Sequence, residues 1–328
     1  SGLTVSYTSS DESVATITGS TVSVVGVGTT TITATQEGNT QYQAADPVAQ
    51  DLEVTPAELT VTGTVAEDKV YDGTSAAEVF GGSLNGIIGD DEVVLVDSLP
   101  GTFAQTSVGT GIEVIPAMTL SGEDSANYTL IQPGGISADI TPKSLSVIGI
   151  TVADKVYDGT TDAALSGGSL QGILGDDEVT LSDAVSGTFA EAGVGTGIPV
   201  TTGMNLSGAD AANYTLNQPG DLTGNITPAE LVVTADDMSR EECTENPVFT
   251  VVITGFVGTD DESVLTSTPE AATAADESSP AGTYDITVSG GGADNYTMTY
   301  TTGTLTVTPD ETDPVLTTKE VTVQLDES

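Results

Sequence analysis

The chain contains no histidine, no tryptophan, one cysteine, and only five basic residues against 49 acidic ones in a length of 328. Each shortage removes a class of function. Without histidine no Ser-His or Cys-His nucleophile can be assembled, and the main transition-metal ligand is missing. The lone cysteine, Cys243, rules out an intrachain disulfide framework and reads as a small, partly buried apolar residue. A net charge of −44 leaves no basic patch to release counterions from phosphates, which excludes nucleic acid as a partner and disfavours anionic membrane surfaces. No apolar run reaches the length of a membrane span, so no direct membrane insertion is expected, and no signal-peptide pattern opens the sequence. The carboxylate pairs sit in exposed turns of a repeated pattern without a cleft, which is no setting for paired acid–base work. No catalytic and no cofactor-binding residue can be named, and no enzyme is expected.

What is present is threonine, valine, serine, alanine, aspartate and 38 glycines, a mixture of β-branched residues and turn formers that favours an all-β fold. The chain is organised around one stretch. Asp68-Lys-Val-Tyr-Asp-Gly-Thr74 returns letter for letter as Asp154-Lys-Val-Tyr-Asp-Gly-Thr160, 86 residues further on. Gly89-Asp-Asp-Glu-Val93, Ala126-Asn-Tyr-Thr-Leu130 and Gln132-Pro-Gly134 recur at the same offset, and the stretches 57–142 and 143–228 are identical at more than half of their paired positions without a gap. A fixed period of this kind means tandem copies of one module. Thr-Pro pairs at Thr55-Pro56, Thr141-Pro142, Thr227-Pro228 and Thr308-Pro309 mark the boundaries. After each of the first three a strand begins almost at once; proline restricts its neighbours to extended backbone, so the joins are expected to be short and stiff.

The modules read as follows. In 1–54, Val5-Ser-Tyr-Thr-Ser9, Ser13-Val-Ala-Thr-Ile-Thr18, Thr21-Val-Ser-Val-Val25, Thr29-Thr-Thr-Ile-Thr-Ala34 and Leu52-Glu-Val54 are short strands separated by glycine turns. Ser9-Ser-Asp-Glu-Ser-Val-Ala-Thr-Ile17 with Val25-Gly-Val-Gly-Thr-Thr-Thr-Ile-Thr-Ala34 resembles the bacterial Ig-like (Big) domain, which implies a partial copy lacking upstream strands and with a frayed core. Residues 55–141 and 142–227 are the two repeats, each with seven or eight strand candidates spaced by turns, as in a β-sandwich. Their Lys-Val-Tyr-Asp-Gly-Thr motif resembles the YDG repeat domain of large bacterial surface adhesins. Residues 228–308 keep the frame: Leu231-Val-Val-Thr234 opens it, and Tyr296-Thr-Met-Thr-Tyr300 and Thr304-Leu-Thr-Val-Thr308 close it. With Glu245-Asn-Pro-Val-Phe-Thr250, Gly255-Phe256, Ser263-Val-Leu265 and Gly282-Thr-Tyr-Asp-Ile-Thr287, this module resembles the MBG domain of bacterial adhesins, although Glu242-Cys243 stands where that family commonly has Tyr-Gly. A helical turn around Asp260–Leu265 makes a β-grasp-like topology the alternative to a sandwich there. Residues 309–328, with Pro314-Val-Leu316 and Glu320-Val-Thr-Val-Gln-Leu325, read as the start of a further module, so the chain reads as a piece of a longer exported protein. The fold class expected is therefore all-β, a tandem array of small Ig-like β-sandwich modules.

Several constellations have two readings. Tyr71-Asp72-Gly73 and Tyr157-Asp158-Gly159 are turns in which aspartate caps its own backbone, glycine takes positive φ, and tyrosine buries its ring; a ligand role is the alternative. Lys69 and Lys155 are salt-bridge partners of acidic loops or, on the sharper reading, donors of Lys–Asn isopeptide bonds to Asn127 and Asn213; against the bond, Asn295-Tyr-Thr297 recurs in the third full module without such a lysine. The clusters Asp90-Asp91-Glu92, Asp176-Asp177-Glu178, Asp236-Asp237 and Asp260-Asp261-Glu262 are solvated turns or oxygen ligands for Ca²⁺, the one cofactor considered. The Asn-Tyr-Thr triplets satisfy a glycosylation sequon but open strands; Asp124-Ser-Ala126 and Asp97-Ser-Leu99 resemble O-glycosylation sites of Bacteroidetes surface proteins. The resemblances imply a stalk or spacer segment of a long, secreted, cell-surface adhesin of Bacteroidetes type, its partners being the neighbouring domains of the same chain. The alternative is a glycan- or mucin-binding module in 228–308, for which Phe249, Phe256, Tyr284, Tyr296 and Tyr300 are the available aromatics.

Overall fold

The computed structural model describes residues 2–97 and 100–311. The expected strands Pro314–Leu316 and Glu320–Leu325, and most of Asp97-Ser-Leu99, lie outside the described residues. Among the described residues the secondary structure is strand, apart from three single-turn 3-10 helices. The fold is all-β, in tandem modules, as composition and alternation imply.

The chain resolves into two compact units. The first takes the chain as far as Leu145, together with Gly172–Thr180 and Leu206–Thr215. Its N-terminal module pairs Ser6–Ser9, Gly28–Gln36 and Ala45–Val54 in one antiparallel sheet and Ala15–Thr18 with Thr21–Val24 in a hairpin. Its core is thin. Val14, Ala15 and Thr30 are buried, while Val5, Tyr7, Val22, Val24 and Val48 remain exposed. Thr30 Oγ1 holds the module together instead, bonding Ser9 Oγ, Ser10 Oγ and the Asp11 N–H at 2.7 to 3.2 Å.

In the first repeat, Ala57–Thr62 lies between Ser83–Asn85 and Tyr128–Ile131, antiparallel to the former and parallel to the latter. A second sheet runs in the order Lys69–Val70, Ser137–Thr141, Gly109–Ile115, Gly101–Phe103, Ala76–Ala77, and its first pair is also parallel. Alternation decides which face is buried: Leu59 and Val61 in one sheet, and Phe103, Ile112, Val114, Ala138 and Ile140 in the other, are all buried. The parallel pairs are not announced by the alternating pattern. They place the motif Lys69-Val70-Tyr71 beside the closing strand, with the Tyr71 N–H donating to the Thr141 carbonyl at 2.8 Å.

The second unit takes Ser146–Gln171, Leu181–Asn205 and the described residues from Leu216 on. Here Lys155–Val156, Thr223–Thr227, Gly195–Thr202, Ser186–Phe189 and Asp162–Gln171 follow one another in one sheet, and the last pairs in turn with the strand that ends at Val152. Asp162–Gln171 thus serves both layers: its first half pairs with Ser186–Phe189 and its second with residues 146–152. The partner changes after Ala164; at Gly167, paired with Ile150, φ is +77° and a Cβ would stand 2.3 Å from the Gly149 carbonyl oxygen, so no side chain fits.

In the third full module Ala229–Ala235 lies between Val251–Thr254, antiparallel, and Tyr296–Thr301, parallel; Gly282–Ala293, Gly303–Thr308 and Met238–Glu241 complete the sheet, and Leu265–Thr273 pairs with Gly282–Ala293. The helical turn expected near Asp260–Leu265 is the single 3-10 turn Glu262–Val264, capped by Asp261. No longer helix covers the sheet among the described residues, so the β-grasp alternative lacks its helix. One buried cluster joins Phe189, Ile198 and Ile226 of the second repeat to Ala229, Leu231 and Tyr296 of the next module, with Tyr157 between them. The core is continuous across that boundary.

Candidate functional site

Charge, turn chemistry and aromatic burial converge at the boundaries between modules. The local unit is the Tyr-Asp-Gly turn. Asp72 Oδ1 accepts from the Thr74 N–H at 2.8 Å and from its hydroxyl at 2.9 Å, and Gly73 sits at φ +78°. Lys69 closes the turn from beneath, its Nζ lying 2.7 Å from Asp72 Oδ1, 2.8 Å from the Thr74 carbonyl and 5.7 Å above the Phe103 ring. Lys155 repeats this with Asp158, Thr160 and Phe189 at 2.7, 2.7 and 5.6 Å. The lysines are therefore committed within their own turns, and the Lys–Asn isopeptide pairs are not assembled. Lys155 and the bonds from Thr160, opposed only by slight desolvation, hold the Asp158 carboxyl down at about 2.

With its backbone so fixed, the tyrosine points out of its own module. In the first unit the Tyr71 hydroxyl donates to Asp177 Oδ2 at 3.0 Å, and Tyr214 donates to the same oxygen at 2.5 Å. The rings meet edge to face with centroids 5.4 Å apart and planes at 79°. Tyr214 in turn accepts from the Leu174 N–H at 3.0 Å, and Asn213 Oδ1 accepts from the Val108 N–H at 3.0 Å. A carboxylate can only accept, so both phenols must donate, and each bond polarises the next.

The second unit repeats the set with different residues. Tyr157 and Tyr296 donate to Asp260 Oδ2 at 3.0 and 2.7 Å, with their rings 5.4 Å apart at 77°. The Val257 N–H donates to Tyr296 Oη at 3.0 Å, and the Val194 N–H donates to Asn295 Oδ1 at 2.9 Å. Burial first, and the bonds to Asp177 and Asp260 second, push the Tyr214 and Tyr296 hydroxyls up to about 12. Tyr71 and Tyr157 are raised for the same reasons in the same order. At the first boundary Tyr128 donates to Asp91 Oδ2 at 2.5 Å and accepts from the Ile88 N–H, and the Val27 N–H donates to Asn127 Oδ1 at 3.0 Å.

The acidic turns considered for Ca²⁺ are thus divided. Asp91 and Asp177 are half-buried acceptors for tyrosine, whereas Asp90, Glu92, Asp176 and Glu178 are exposed. The turn itself is tied by Asp124 and Asp210, which accept from the Glu92 and Glu178 N–H groups at 2.8 and 2.9 Å. Ca²⁺ wants six to eight oxygens; among the described residues no three carboxylates or thiols are grouped to share a metal ion. Asp236 and Asp237 serve their own module, accepting from Thr250 Oγ1 and from the Thr304 N–H. Ser125, in the proposed O-glycosylation triplet, donates to the Gly122 carbonyl at 2.8 Å. Cys243 is exposed rather than partly buried, and its backbone stands at φ +63°, in a turn.

Sequence reasoning missed two parts of the boundary. The asparagines of the Asn-Tyr-Thr triplets are acceptors for the preceding module, and the donor is always the valine of a Val-Gly-Thr triplet: Val27, Val108 and Val194. The glycines that follow, Gly28, Gly109 and Gly195, pair with the closing strand of their own module at Val54, Ile140 and Ile226. The triplet is visible in the sequence as a shared signal across modules that otherwise differ.

Residues 55–135 and 141–221 match the family model of the YDG domain, and residues 231–306 match that of the MBG domain of YGX type. The chain is a tandem of YDG and MBG domains. Such domains are non-enzymatic repeats of the cell-surface adhesin type. No curated protein matches the chain. Aligned over 93% of this chain and 92% of the other, the crystal structure of Drosophila N-cadherin EC1-4 is 9% identical, with a TM-score of 0.27 that carries no argument. Within the MBG domain the departure from Tyr-Gly has a structural counterpart. The Glu242 N–H donates to the Thr308 carbonyl at 2.9 Å, as Tyr71 and Tyr157 donate to Thr141 and Thr227 at 2.8 Å. Glu242 therefore stands in the register of the boundary tyrosine, and Cys243 in the left-handed backbone that suits glycine.

Proposed function

We propose that this chain is a stalk segment of a long, secreted, cell-surface adhesin of Bacteroidetes type, whose modules hold a distal binding region away from the cell. One observation carries the reading: the same side-chain contacts recur at successive module boundaries, with no linker between modules. An amide–asparagine bond joins each of three boundaries, and a two-tyrosine clasp on one aspartate is added at two of them. A chain evolved to place one binding surface has no need of such repetition; a chain that carries length and stiffness does. The acidic surface keeps such segments soluble and apart and gathers cations diffusely, without a dedicated cofactor. The first 54 residues serve as a Big-type domain ahead of the two repeats. Partners are the neighbouring domains of the same chain rather than nucleic acid or a membrane; no helix among the described residues is long and apolar enough to cross one.

The glycan- or mucin-binding alternative requires an exposed aromatic platform in 228–308. Tyr296 is buried, Phe249, Phe256 and Tyr284 are half-buried, and Tyr300 alone is exposed, its hydroxyl on the Gly290 carbonyl at 2.6 Å. That arrangement favours the stalk. Small-angle scattering of the chain and of a Tyr71→Ser/Tyr157→Ser variant tests it. The expected result is one maximum dimension for the native chain at every ionic condition, and a broader distance distribution in the variant. An identical distribution in both, or saturable binding of mucin glycans to the native chain, would overturn the stalk reading.

A further inference from the structure

The first boundary has the receiving half of the clasp without its tyrosine. Asp91, Tyr128, Asn127 and Ile88 correspond one for one to Asp177, Tyr214, Asn213 and Leu174, and make the same internal bonds. The N-terminal module supplies the Val27 amide but no phenol, and among the described residues Asp91 Oδ2 accepts only from Tyr128. In place of a ring there is a cavity of about 280 Å³ lined by Val24, Val25, Val27, Val54, Ile88 and the Asp91–Tyr128 pair. Its size approaches the lower end of the range that holds small organic ligands, roughly 300 Å³. Ile88 is 62% exposed there, whereas Leu174, its counterpart behind the filled clasp, is half-buried.

We propose that this cavity is a binding site for a phenol, and that its ligand is a tyrosyl side chain presented by an extended peptide. The apolar valine and isoleucine wall takes the ring, the edge of Tyr128 meets its face, and Asp91 Oδ2 accepts its hydroxyl. Tyr214 with Asp177, and Tyr296 with Asp260, make the ring contact and the hydroxyl bond to Tyr71 and Tyr157 in the two filled clasps, at 3.0 Å from the aspartate oxygen in both. The hydroxyl is the specific element. A ring without it would leave a desolvated carboxylate oxygen short of a donor, a loss on the order of tenfold in affinity for a bond to a charged group.

The experiment is a titration of the isotope-labelled full chain with N-acetyl-tyrosinamide, followed by backbone amide shifts. Expected are saturable shifts confined to residues 24–27, 88–91 and 127–128, and binding about tenfold weaker for N-acetyl-phenylalaninamide. Val25→Trp fills the cavity from an exposed position and is expected to abolish the shifts, while Gly220→Ala, where a Cβ meets nothing within 4 Å, leaves them unchanged. Absence of saturable shifts, equal binding of the two amides, or full retention of binding in Val25→Trp would each overturn the assignment.

Discussion

Tyr71 and Tyr157 are 5% and 9% exposed and each meets a tyrosine of the following module edge to face, so part of their worth is felt at the boundary. Tyr71→Phe keeps the ring and removes one of the two donors on Asp177, and is expected to cost about 1 kcal/mol. Asp177→Ala removes the shared acceptor, leaves two phenol hydroxyls without an acceptor, and is expected to cost at least twice as much. Chemical denaturation of the two variants checks the order; equal losses would mean that the carboxylate is solvated rather than clasped. The titrations follow from the same contacts. Tyr214 and Tyr296 are held at about 12 against an ordinary 10, so the folded state keeps protons that the unfolded chain releases. Their contribution to stability is complete below pH 10 and is lost as the pH climbs from 10 to 12. Asp158 runs the other way: at about 2 against 3.8, it contributes above pH 3.8 and loses that contribution as the pH falls toward 2. Melting curves across both windows are expected to slope downward at each extreme. Asp158→Asn is expected to flatten the acid limb alone, and a Tyr214→Phe/Tyr296→Phe double variant the alkaline one.

The turn that carries the receiving aspartate shows what an element needs beyond its motif. Gly-Asp-Asp reads from sequence as an ordinary turn, yet it is packed against Gly122 or Gly208, where a Cβ would lie 2.1 Å from the carbonyl oxygen of Glu92 or Glu178. Gly208→Ala must push backbone apart at φ +120° and is expected to cost about 3 kcal/mol, measured as a fall in melting temperature. The same alanine at Gly220, which meets nothing within 4 Å, is expected to be nearly silent. Strands with clean alternation were legible in the sequence: the opening strand, read as Leu59-Thr-Val-Thr-Gly63, is Ala57–Thr62 and stops before the glycine, and Tyr128–Ile131 is found as read. The parallel partners of those strands were not, because alternation fixes a face and says nothing of direction. Leu52–Val54 was read as three residues where Ala45–Val54 runs to ten, since its N-terminal half is exposed on both faces and has no apolar period to show. At the boundary, burial of the Tyr-Asp-Gly ring could be read from one copy. Its acceptor could not: Tyr71 and Asp177 are 106 residues apart, and the pairing joins unlike members of successive modules. The Val-Gly-Thr triplet was readable, but its valine works through a main-chain N–H, which leaves no mark on side-chain chemistry.

At the scale of the whole chain, a net charge of −44 is the largest single electrostatic fact, and among the described residues only two salt bridges offset it, both inside the Tyr-Asp-Gly turns. Self-repulsion of this size acts against the folded state over distances set by the Debye length, about 30 Å at 0.01 M salt and about 8 Å at 0.15 M. Raising sodium chloride across that interval is therefore expected to raise the melting temperature, and most of the gain is expected before 0.15 M, where neighbouring carboxylates are already screened. The turns Asp90-Asp91-Glu92 and Asp176-Asp177-Glu178 put the identity of the cation to the test. Where each half-buried aspartate faces tyrosine and its exposed neighbours face water, a divalent ion meets a diffuse field rather than a ring of converging oxygens. Ca²⁺ and Mg²⁺ at equal ionic strength are then expected to shift the melting temperature equally, and Asp90→Asn/Asp176→Asn to change neither response by more than its loss of charge. A rise with Ca²⁺ well beyond that with Mg²⁺, removed by those two substitutions, would make the acidic turns ligands and the stiffness of the joins dependent on calcium.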